Sequence, residues 1–146
     1  MKASTILSLV GAALVSAAPA VDNTPRENIR ELCQITDFFL QKTGEQITHL
    51  SFKLSGRDAQ GLLCSADNIP FPDGHNGYVC GDSKYRFSLH PGTEGAEYGL
   101  MIAHELGAAA GWWGVGNVPT NCHTAGTGIN DLACGQVMNA TIGLAW

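Results

Sequence analysis

Apolar and polar residues alternate with a period of two along much of the chain. The clearest run is residues 46–54, QITHLSFKL, where Leu50, Phe52 and Leu54 are separated by polar residues. The same alternation occurs in residues 84–90 (KYRFSLH) and 97–106 (EYGLMIAHEL), and less cleanly in 135–146 (GQVMNATIGLAW). Because successive side chains of a strand point to opposite faces of a sheet, this pattern predicts half-buried β-strands.

Turn-forming residues separate these runs, at Gly44-Glu45, Ser55-Gly56 and Pro91-Gly92. Short strands with a turn roughly every eight to twelve residues are typical of an antiparallel sandwich or barrel. The 18 glycines fit the bulges and tight bends of a strongly curved sheet. We therefore predict an all-β fold, a small and mostly antiparallel β-barrel or sandwich.

The first twenty residues have the pattern of a secretory signal peptide. Lys2 precedes the apolar run ILSLVGAALV, and small residues follow it as far as Ala20. The apolar run is shorter than the roughly 20 residues that span a membrane. We predict cleavage after Ala20 and a secreted, extracellular protein, with a loose arm over residues 21–32 and one domain over residues 33–146.

The arm contains a local helix signal. Thr24-Pro25-Arg26-Glu27 has the form of a capping box with proline at the first helical position. This predicts a possible short helix over residues 25–33. An extended lead-in to the first strand is the alternative, and periodicity does not decide between them.

Charge excludes one class of partner. The chain carries 8 Lys and Arg against 13 Asp and Glu, a formal net charge of −5, without a basic cluster. Nucleic-acid binding needs clustered positive charge to contact phosphates, so we predict no such partner. Cleavage after Ala20 removes Lys2 and leaves the mature domain at −6.

The five cysteines all lie beyond the signal peptide, and secretion favours disulfides among them. Turn-rich segments lie between Cys64 and Cys80 and between Cys122 and Cys134, so these two pairings are favoured. Cys33 is then left over, either as a buried free thiol or in an intermolecular bridge. The sequence has no C-x-x-C and no histidine ligand spacing, so we predict neither a metal site nor a cofactor.

Few residues suggest catalysis. His104-Glu105 begins like the zinc motif H-E-x-x-H, but residue 108 is alanine, and we interpret the pair as an exposed strand end. Asp131 with Glu105 or Glu97 could form a glycosidase pair, which keeps a secreted glycan hydrolase as a remote alternative. We assign no catalytic residue.

Two features suggest contacts with other molecules. The adjacent Trp112 and Trp113 must point to opposite faces of a strand, so one is predicted in the core and one exposed. With loops 75–77, 92–97 and 111–116, they define a candidate binding surface of Trp112, Trp113, His75, Glu94 and Glu97. Asn139-Ala140-Thr141 is an N-glycosylation acceptor, although it falls in a predicted strand, which argues against its use.

Several segments carry a family resemblance together. They are residues 35–39 (ITDFF), 64–66 (CSA), 78–81 (YVCG), 85–87 (YRF), 118–122 (VPTNC), 126–128 (GTG) and 131–134 (DLAC). In this order and with this cysteine spacing, residues 33–146 resemble the family of the major allergen of Alternaria. That family includes secreted fungal proteins that elicit a hypersensitive response in plants.

The resemblance implies a small β-barrel with the disulfides Cys64–Cys80 and Cys122–Cys134. It implies a fungal allergen, elicitor or virulence effector that is not an enzyme. Such a protein would bind plant apoplastic proteins, such as thaumatin-like pathogenesis-related proteins, and trigger or modulate host immunity. The alternative is a carrier of a small phenolic or flavonoid ligand, with Trp112, Trp113, Tyr98 and Phe71 as its aromatic residues. The archetypal allergen dimerises through a cysteine that Cys33 does not match, so the oligomeric state stays open.

Overall fold

The computed structural model describes residues 28–72 and 77–146, and these residues form ten antiparallel β-strands. The all-β fold predicted from the alternation is confirmed. The strands are β1 (Glu31–Thr43), β2 (Gln46–Gly56), β3 (Ala59–Ile69), β4 (Tyr78–Val79), β5 (Tyr85–Pro91), β6 (Tyr98–Gly107), β7 (Ala110–Val118), β8 (Thr120–Thr124), β9 (Leu132–Gln136) and β10 (Ala140–Leu144).

The strands form two sheets that meet along one seam. The first has the order β3-β2-β1-β9-β8, with β10 pairing beside β9 on the same edge of β1. The second has the order β4-β5-β6-β7. Trp113 of β7 and Ala145 exchange two backbone hydrogen bonds of 2.9 Å, which bring β7 against the end of β10. This seam joins the sheets into a barrel-like domain.

The possible N-terminal helix is absent from the part of residues 25–33 that the structure describes. Residues 28–30 have no regular structure and β1 begins at Glu31, whereas residues 25–27 lie outside the described residues. Glu31, Cys33 and Ile35 point inward, and β1 pairs with β10 from Glu31 opposite Leu144 onward. Inward packing and a paired backbone outweigh a local capping signal.

Strand β1 changes its phase at a bulge. Cys33 and Ile35 are buried before it, and Phe38 and Leu40 are buried after it. The pairing with β2 shifts between Thr36 and Phe39, and Asp37 has a φ of 54°. One extra residue in a strand moves the following side chains to the other face. The bulge therefore keeps both halves of a 13-residue strand facing the core.

The core lies between the two sheets. Phe52 of β2 meets Phe87 of β5 edge to face, with ring centroids 5.0 Å apart, and Phe38 lies 6.4 Å beyond Phe52. Fully buried aliphatic side chains surround these rings: Ile35, Leu40, Leu50, Leu54, Leu89, Leu100 and Ile102. Burial of such side chains is the dominant favourable term in folding.

The two disulfides have different roles in the fold. Cys64 on β3 bonds to Cys80 just after β4, so this bridge links the two sheets. Cys122 and Cys134 face each other on the paired strands β8 and β9, so the second bridge lies within one sheet. These are the two pairs expected from the sequence, and Cys33 is buried and unpaired.

Candidate functional site

A cluster of buried polar side chains lies where β1, β5 and β6 meet. We call Glu31, Tyr85 and His104 the buried polar cluster. The Tyr85 hydroxyl donates to Glu31 Oε1 at 2.6 Å, and His104 Nδ1 lies 2.6 Å from Glu31 Oε2. The Tyr85 and His104 rings are stacked, with centroids 4.1 Å apart. All three side chains are almost fully buried, and the cluster ties the first sheet to the second.

The turn between β2 and β3 closes over this cluster. The Arg57 backbone N–H donates to Glu31 Oε1 at 2.7 Å, and the Asp58 N–H donates to the Tyr85 oxygen at 3.1 Å. The Asp58 carboxylate lies 3.3 Å from His104 Nε2. Both oxygens of Glu31, the Tyr85 hydroxyl and His104 Nδ1 thus have hydrogen-bond partners, the condition under which a buried polar group is tolerated.

Glu31 is held in its ionised form. Burial raises the pKa of its carboxyl, but the hydrogen bonds from Tyr85, His104 and the Arg57 N–H together lower it by more than burial raises it. The pKa therefore lies below its ordinary value of 4.5. Hydrogen bonds to the charged form of a group favour that form. Because an ionised carboxylate only accepts hydrogen bonds, His104 Nδ1 carries the proton that it donates to Glu31.

Neither Tyr85 of the cluster nor Cys33, whose Sγ lies 3.8 Å from Glu31 Oε1, is an activated nucleophile. Burial, together with the negative charge of Glu31, raises the pKa of the Cys33 thiol to about 12. Burial and the hydrogen bond to Glu31 also raise the pKa of Tyr85. Reactive thiols need a lowered pKa and partial exposure, and Cys33 has neither. The contact between Glu31 and His104 therefore stabilises the interior where the two sheets meet.

A strip of exposed apolar residues lies outside the same end of the barrel. We call Ile29, Leu32, Trp113, Val115 and Trp146 the apolar strip, and all five are more than half exposed. It runs across β1, the end of β10 and β7. Scattered exposed apolar residues are common, but a contiguous group is typical of a binding surface.

Gly143 joins the two halves of the apolar strip. It pairs directly with Leu32, and a Cβ at Gly143 would come within 3.0 Å of the Ile29 side chain. Trp113, Val115 and Trp146 line a shallow concavity of about 260 Å³ that also includes Gly143. Glycine at this position leaves the floor of the strip flat.

Trp112 connects the buried polar cluster to the apolar strip. Its ring meets the rings of His104 and Trp146 edge-on, with centroids 6.0 Å and 6.1 Å away. Two cations lie nearby, with the Arg57 guanidinium 5.5 Å from the Trp112 ring and that of Arg30 6.0 Å from the Trp146 ring. Arg30 therefore lies at the edge of the apolar strip, and Arg57 lies against the adjoining Trp112.

The structure separates the residues of the candidate binding surface. Trp113 is 54% exposed and Trp112 is 8% exposed, one outside and one in the core. Trp113 pairs with Ala103, five positions from the start of β6 at Tyr98, about 17 Å at strand spacing. Glu94 and Glu97 are exposed in the turn that precedes this start. His75 lies outside the described residues.

Two sequence interpretations need correction. His104 is 1% exposed and belongs to the buried polar cluster, so its interpretation as an exposed strand end is wrong. Asn139 lies in the exposed turn before β10 and not within a strand. No catalytic or binding motif marks Glu31 or Tyr85, although Glu31 continues the inward phase of Cys33 and Ile35, as His104 continues that of Leu100 and Ile102.

The carboxylates considered for hydrolysis have structural partners. Asp131 accepts hydrogen bonds from the backbone N–H groups of Gly44 at 3.2 Å and Gly128 at 2.9 Å. Glu105 forms an exposed ion pair with Arg86. Within residues 28–72 and 77–146, no group of three or more His, Cys, Asp or Glu side chains could hold a metal ion. The same residues contain no helix suited to crossing a membrane.

The aromatic residues considered for ligand binding form two separate groups. Phe71 contacts Tyr98, with ring centroids 5.6 Å apart, at one end of the β6–β7 hairpin. Trp112 and Trp113 lie toward its other end, beside a cavity of about 290 Å³ that His104 and Glu105 also line. The Trp112 indole N–H is buried without a hydrogen-bond partner.

These features define a class, the small antiparallel β-barrel with two disulfides. The sequence profile described as Alternaria alternata allergen 1 matches residues 35–134. The chain belongs to this family.

Relatives and solved structures agree with this assignment. Effector protein PevD1 of Verticillium dahliae is 41% identical over 140 residues, covering 92% of this chain and 86% of that protein. Two crystal structures of the Alternaria alternata allergen Alt a 1 share the fold, with TM-scores of 0.63 and 0.61. Each is 24% identical and covers 78% of this chain, and 87% and 92% of the allergen chains respectively.

Proposed function

We propose that this protein is a secreted fungal effector that binds a plant protein outside the cell and triggers or modulates host defence. The observation that carries the proposal is the 41% identity, over 92% of the chain, to a protein named as an effector. The signal-peptide pattern of residues 1–20 supports secretion. The first partners to test are thaumatin-like pathogenesis-related proteins, which the family resemblance suggests.

The proposed mechanism is surface recognition without catalysis. The buried polar cluster is almost fully buried, and its Tyr85 phenol and the neighbouring Cys33 thiol stay protonated. The outer surface at the same end offers an apolar, aromatic area beside two arginines. Tryptophan and arginine are enriched among the residues that dominate binding energy at protein interfaces.

We propose the apolar strip as the contact surface for the host protein. Charge complementarity defines the partner further, because Arg30 lies against Trp146 of the strip and Arg57 against the adjoining Trp112, on a chain of net charge −5. A fitting partner surface has an apolar centre and an acidic rim. Glu94 and Glu97, from the candidate surface defined on the sequence, then lie outside the contact.

The elicitor function is tested by infiltrating the purified, oxidised protein into leaves. We expect a local defence response from the oxidised protein and a weaker one after reduction and alkylation, because the reduced chain loses the link between its sheets. If the oxidised protein produces no response, the elicitor proposal fails.

The contact surface is tested with matched leucine variants. Leu32 in the apolar strip and Leu63 on β3 are 58% and 57% exposed, so truncating either removes a similar exposed side chain. We expect Leu32→Ala and Trp113→Ala to weaken binding to an immobilised thaumatin-like protein by about tenfold or more, the size of a typical hot-spot effect. Leu63→Ala is expected to bind like the wild type. Equal losses in Leu32→Ala and Leu63→Ala would reject the strip as the contact.

A second candidate function is the carriage of a small phenolic molecule. The observation that favours it is that Trp112, whose indole N–H has no hydrogen-bond partner, lines the cavity of about 290 Å³. A phenol oxygen would accept that hydrogen bond, and the neighbouring rings would stack on the ligand. Titration with a flavonoid should quench tryptophan fluorescence in the wild type and less in Trp112→Phe. An unchanged wild-type signal rejects this function.

A further inference from the structure

The chain contains one N-x-Ser/Thr acceptor sequence, Asn139-Ala140-Thr141. Its asparagine lies on the exposed turn between β9 and β10, directly before β10 begins at Ala140. Loops and turns at the surface are where a bulky oligosaccharide can be attached without displacing the core.

Neighbouring contacts fix the turn backbone. The Gln136 side-chain amide donates to the Met138 carbonyl at 2.7 Å and to the Ile35 carbonyl at 2.9 Å, and the Val137 N–H donates to the Pro119 carbonyl at 3.0 Å. Ala140 is buried opposite Ile35 on β1. The asparagine is therefore presented outward from a well-anchored turn.

Thr141, the third residue of the acceptor sequence, is also on the surface. It is exposed on β10 and pairs with the exposed Gln34 of β1. The buried residue of the acceptor sequence is the middle one, Ala140. Substitutions at Asn139 and Thr141 therefore leave the core packing unchanged.

The surroundings of Asn139 suit a sugar. Val137 and Met138 are 60% and 63% exposed beside it. Asn139, these two side chains, Asp37 and Gln136 line a concavity of about 340 Å³. Apolar side chains can cover the faces of a sugar ring, and the carboxylate and amide can bond its hydroxyl groups.

We propose that Asn139 carries an N-linked oligosaccharide that covers Val137 and Met138. The Asn139 amide nitrogen attacks C1 of the reducing-end sugar of a polyprenyl-pyrophosphate oligosaccharide. A C–N bond forms, the C–O bond to the pyrophosphate breaks, and the lipid pyrophosphate leaves while the nitrogen gives up one proton. The transfer is the work of the secretory pathway's oligosaccharyltransferase, so the proposal rests on secretion, one part of the proposed function.

The modification leaves the proposed contact surface accessible. Asn139 precedes the start of β10, whereas Trp113 is bridged to Ala145 just after its end. Ala140 and Ala145 are five residue steps apart along the extended strand, about 17 Å. The oligosaccharide and the apolar strip therefore lie toward opposite ends of β10.

The test is to secrete the full chain, with its own leader, from a yeast and to measure the intact mass of the protein in the medium. We expect a mass above that of the polypeptide by hexose units on an N-acetylglucosamine core. Digestion with peptide N-glycosidase should remove this excess and convert Asn139 to aspartate.

Matched variants assign the modification to this site. Thr141→Ala destroys the acceptor sequence and should give the polypeptide mass alone, whereas Thr141→Ser preserves the hydroxyl and should keep the oligosaccharide. Wild-type protein in the medium at its polypeptide mass overturns the glycosylation proposal and leaves secretion intact. Protein retained in the cell with its leader uncleaved overturns both. An oligosaccharide that survives Thr141→Ala places it elsewhere and also refutes the assignment.

Discussion

Two regions at the same end of the barrel reverse the usual distribution of side chains. The buried polar cluster places a carboxylate, a phenol and an imidazole inside, whereas the apolar strip places tryptophan and aliphatic side chains outside. Neighbours in the sequence supply both regions. Glu31 is buried and Leu32 exposed on β1, and Trp112 is buried and Trp113 exposed on β7.

The comparison assigns different roles to the two regions, stability to the buried polar cluster and recognition to the apolar strip. Inside, Glu31 accepts hydrogen bonds from three elements, so its removal would leave several donors without a partner. Outside, the apolar strip supports no buried group, so its loss should cost the fold little. The cluster should therefore determine how firmly the sheets hold together, and the strip should determine what the protein binds.

The largest effect is expected from Glu31→Ala. The change leaves the Tyr85 hydroxyl, His104 Nδ1 and the Arg57 N–H buried without their acceptor. Each buried donor left without a partner costs about 1 to 3 kcal/mol, so the loss of all three bonds is expected to cost about 3 kcal/mol or more. Chemical denaturation should show the free energy of unfolding fall by that amount.

Glu105→Ala is the matched control for this variant. Glu105 is also a glutamate paired with a basic side chain, Arg86, but both side chains are substantially exposed. An exposed ion pair contributes about 1 kcal/mol or less. Similar losses of stability in the two variants would show that the cluster does not brace the fold.

The next effect is expected from Gly56→Ala, at the end of β2. An added Cβ would lie 2.6 Å from Glu31 Oε1, 3.0 Å from the Tyr85 oxygen and 3.2 Å from Cys33 Sγ. Overpacking of a closely packed interior costs about 1 to 3 kcal/mol. Gly135→Ala on β9 is the control, since its Cβ would meet no heavy atom within 4 Å. Thermal melts of both variants test the difference, and equal melting temperatures would contradict it.

The sequence predicts most of this fold for a physical reason. The alternation of apolar and polar residues, such as Leu50, Phe52 and Leu54 with their polar neighbours, predicts the burial pattern of β2, β5 and β6. The bulge at Asp37 is a different case, because it moves the inward phase of β1 from odd to even positions. Simple alternation does not anticipate an extra residue, and the local helix signal before β1 gives no information about pairing with β10.

The buried polar cluster could be predicted only in part. His104 follows Leu100 and Ile102 in the inward phase of β6, so its burial was available from the pattern. Its partner was not, because Glu31 lies 73 residues away on the other sheet. The apolar strip likewise depends on the contact between β7 and β10, which brings Trp113 to Ala145. Long-range pairing of this kind depends on topology and not on local propensity.

The pH dependence of stability is a smaller effect that sharpens the comparison. Burial raises the pKa of Glu31, but its hydrogen bonds together lower it by more than burial raises it, so the pKa lies below the ordinary value of 4.5. A group with a depressed pKa in the fold contributes stability above its unfolded pKa, and that contribution is lost as pH falls through the folded pKa. The stability difference between wild type and Glu31→Ala should therefore shrink as the pH falls below about 4.5. A difference that grows on acidification would contradict the assigned direction.

The smallest effect on stability is expected from Leu32→Ala, one residue away from Glu31. Leu32 is exposed and faces Gly143 across the pair of strands, so its truncation opens no cavity in the core. Surface changes of this kind usually alter the free energy of unfolding by no more than about 0.5 kcal/mol. Denaturation of Leu32→Ala beside Glu31→Ala compares adjacent residues of one strand under identical conditions. If Leu32→Ala loses more than about 1 kcal/mol, the strip contributes to packing, and weaker binding by this variant could no longer be attributed to a lost contact.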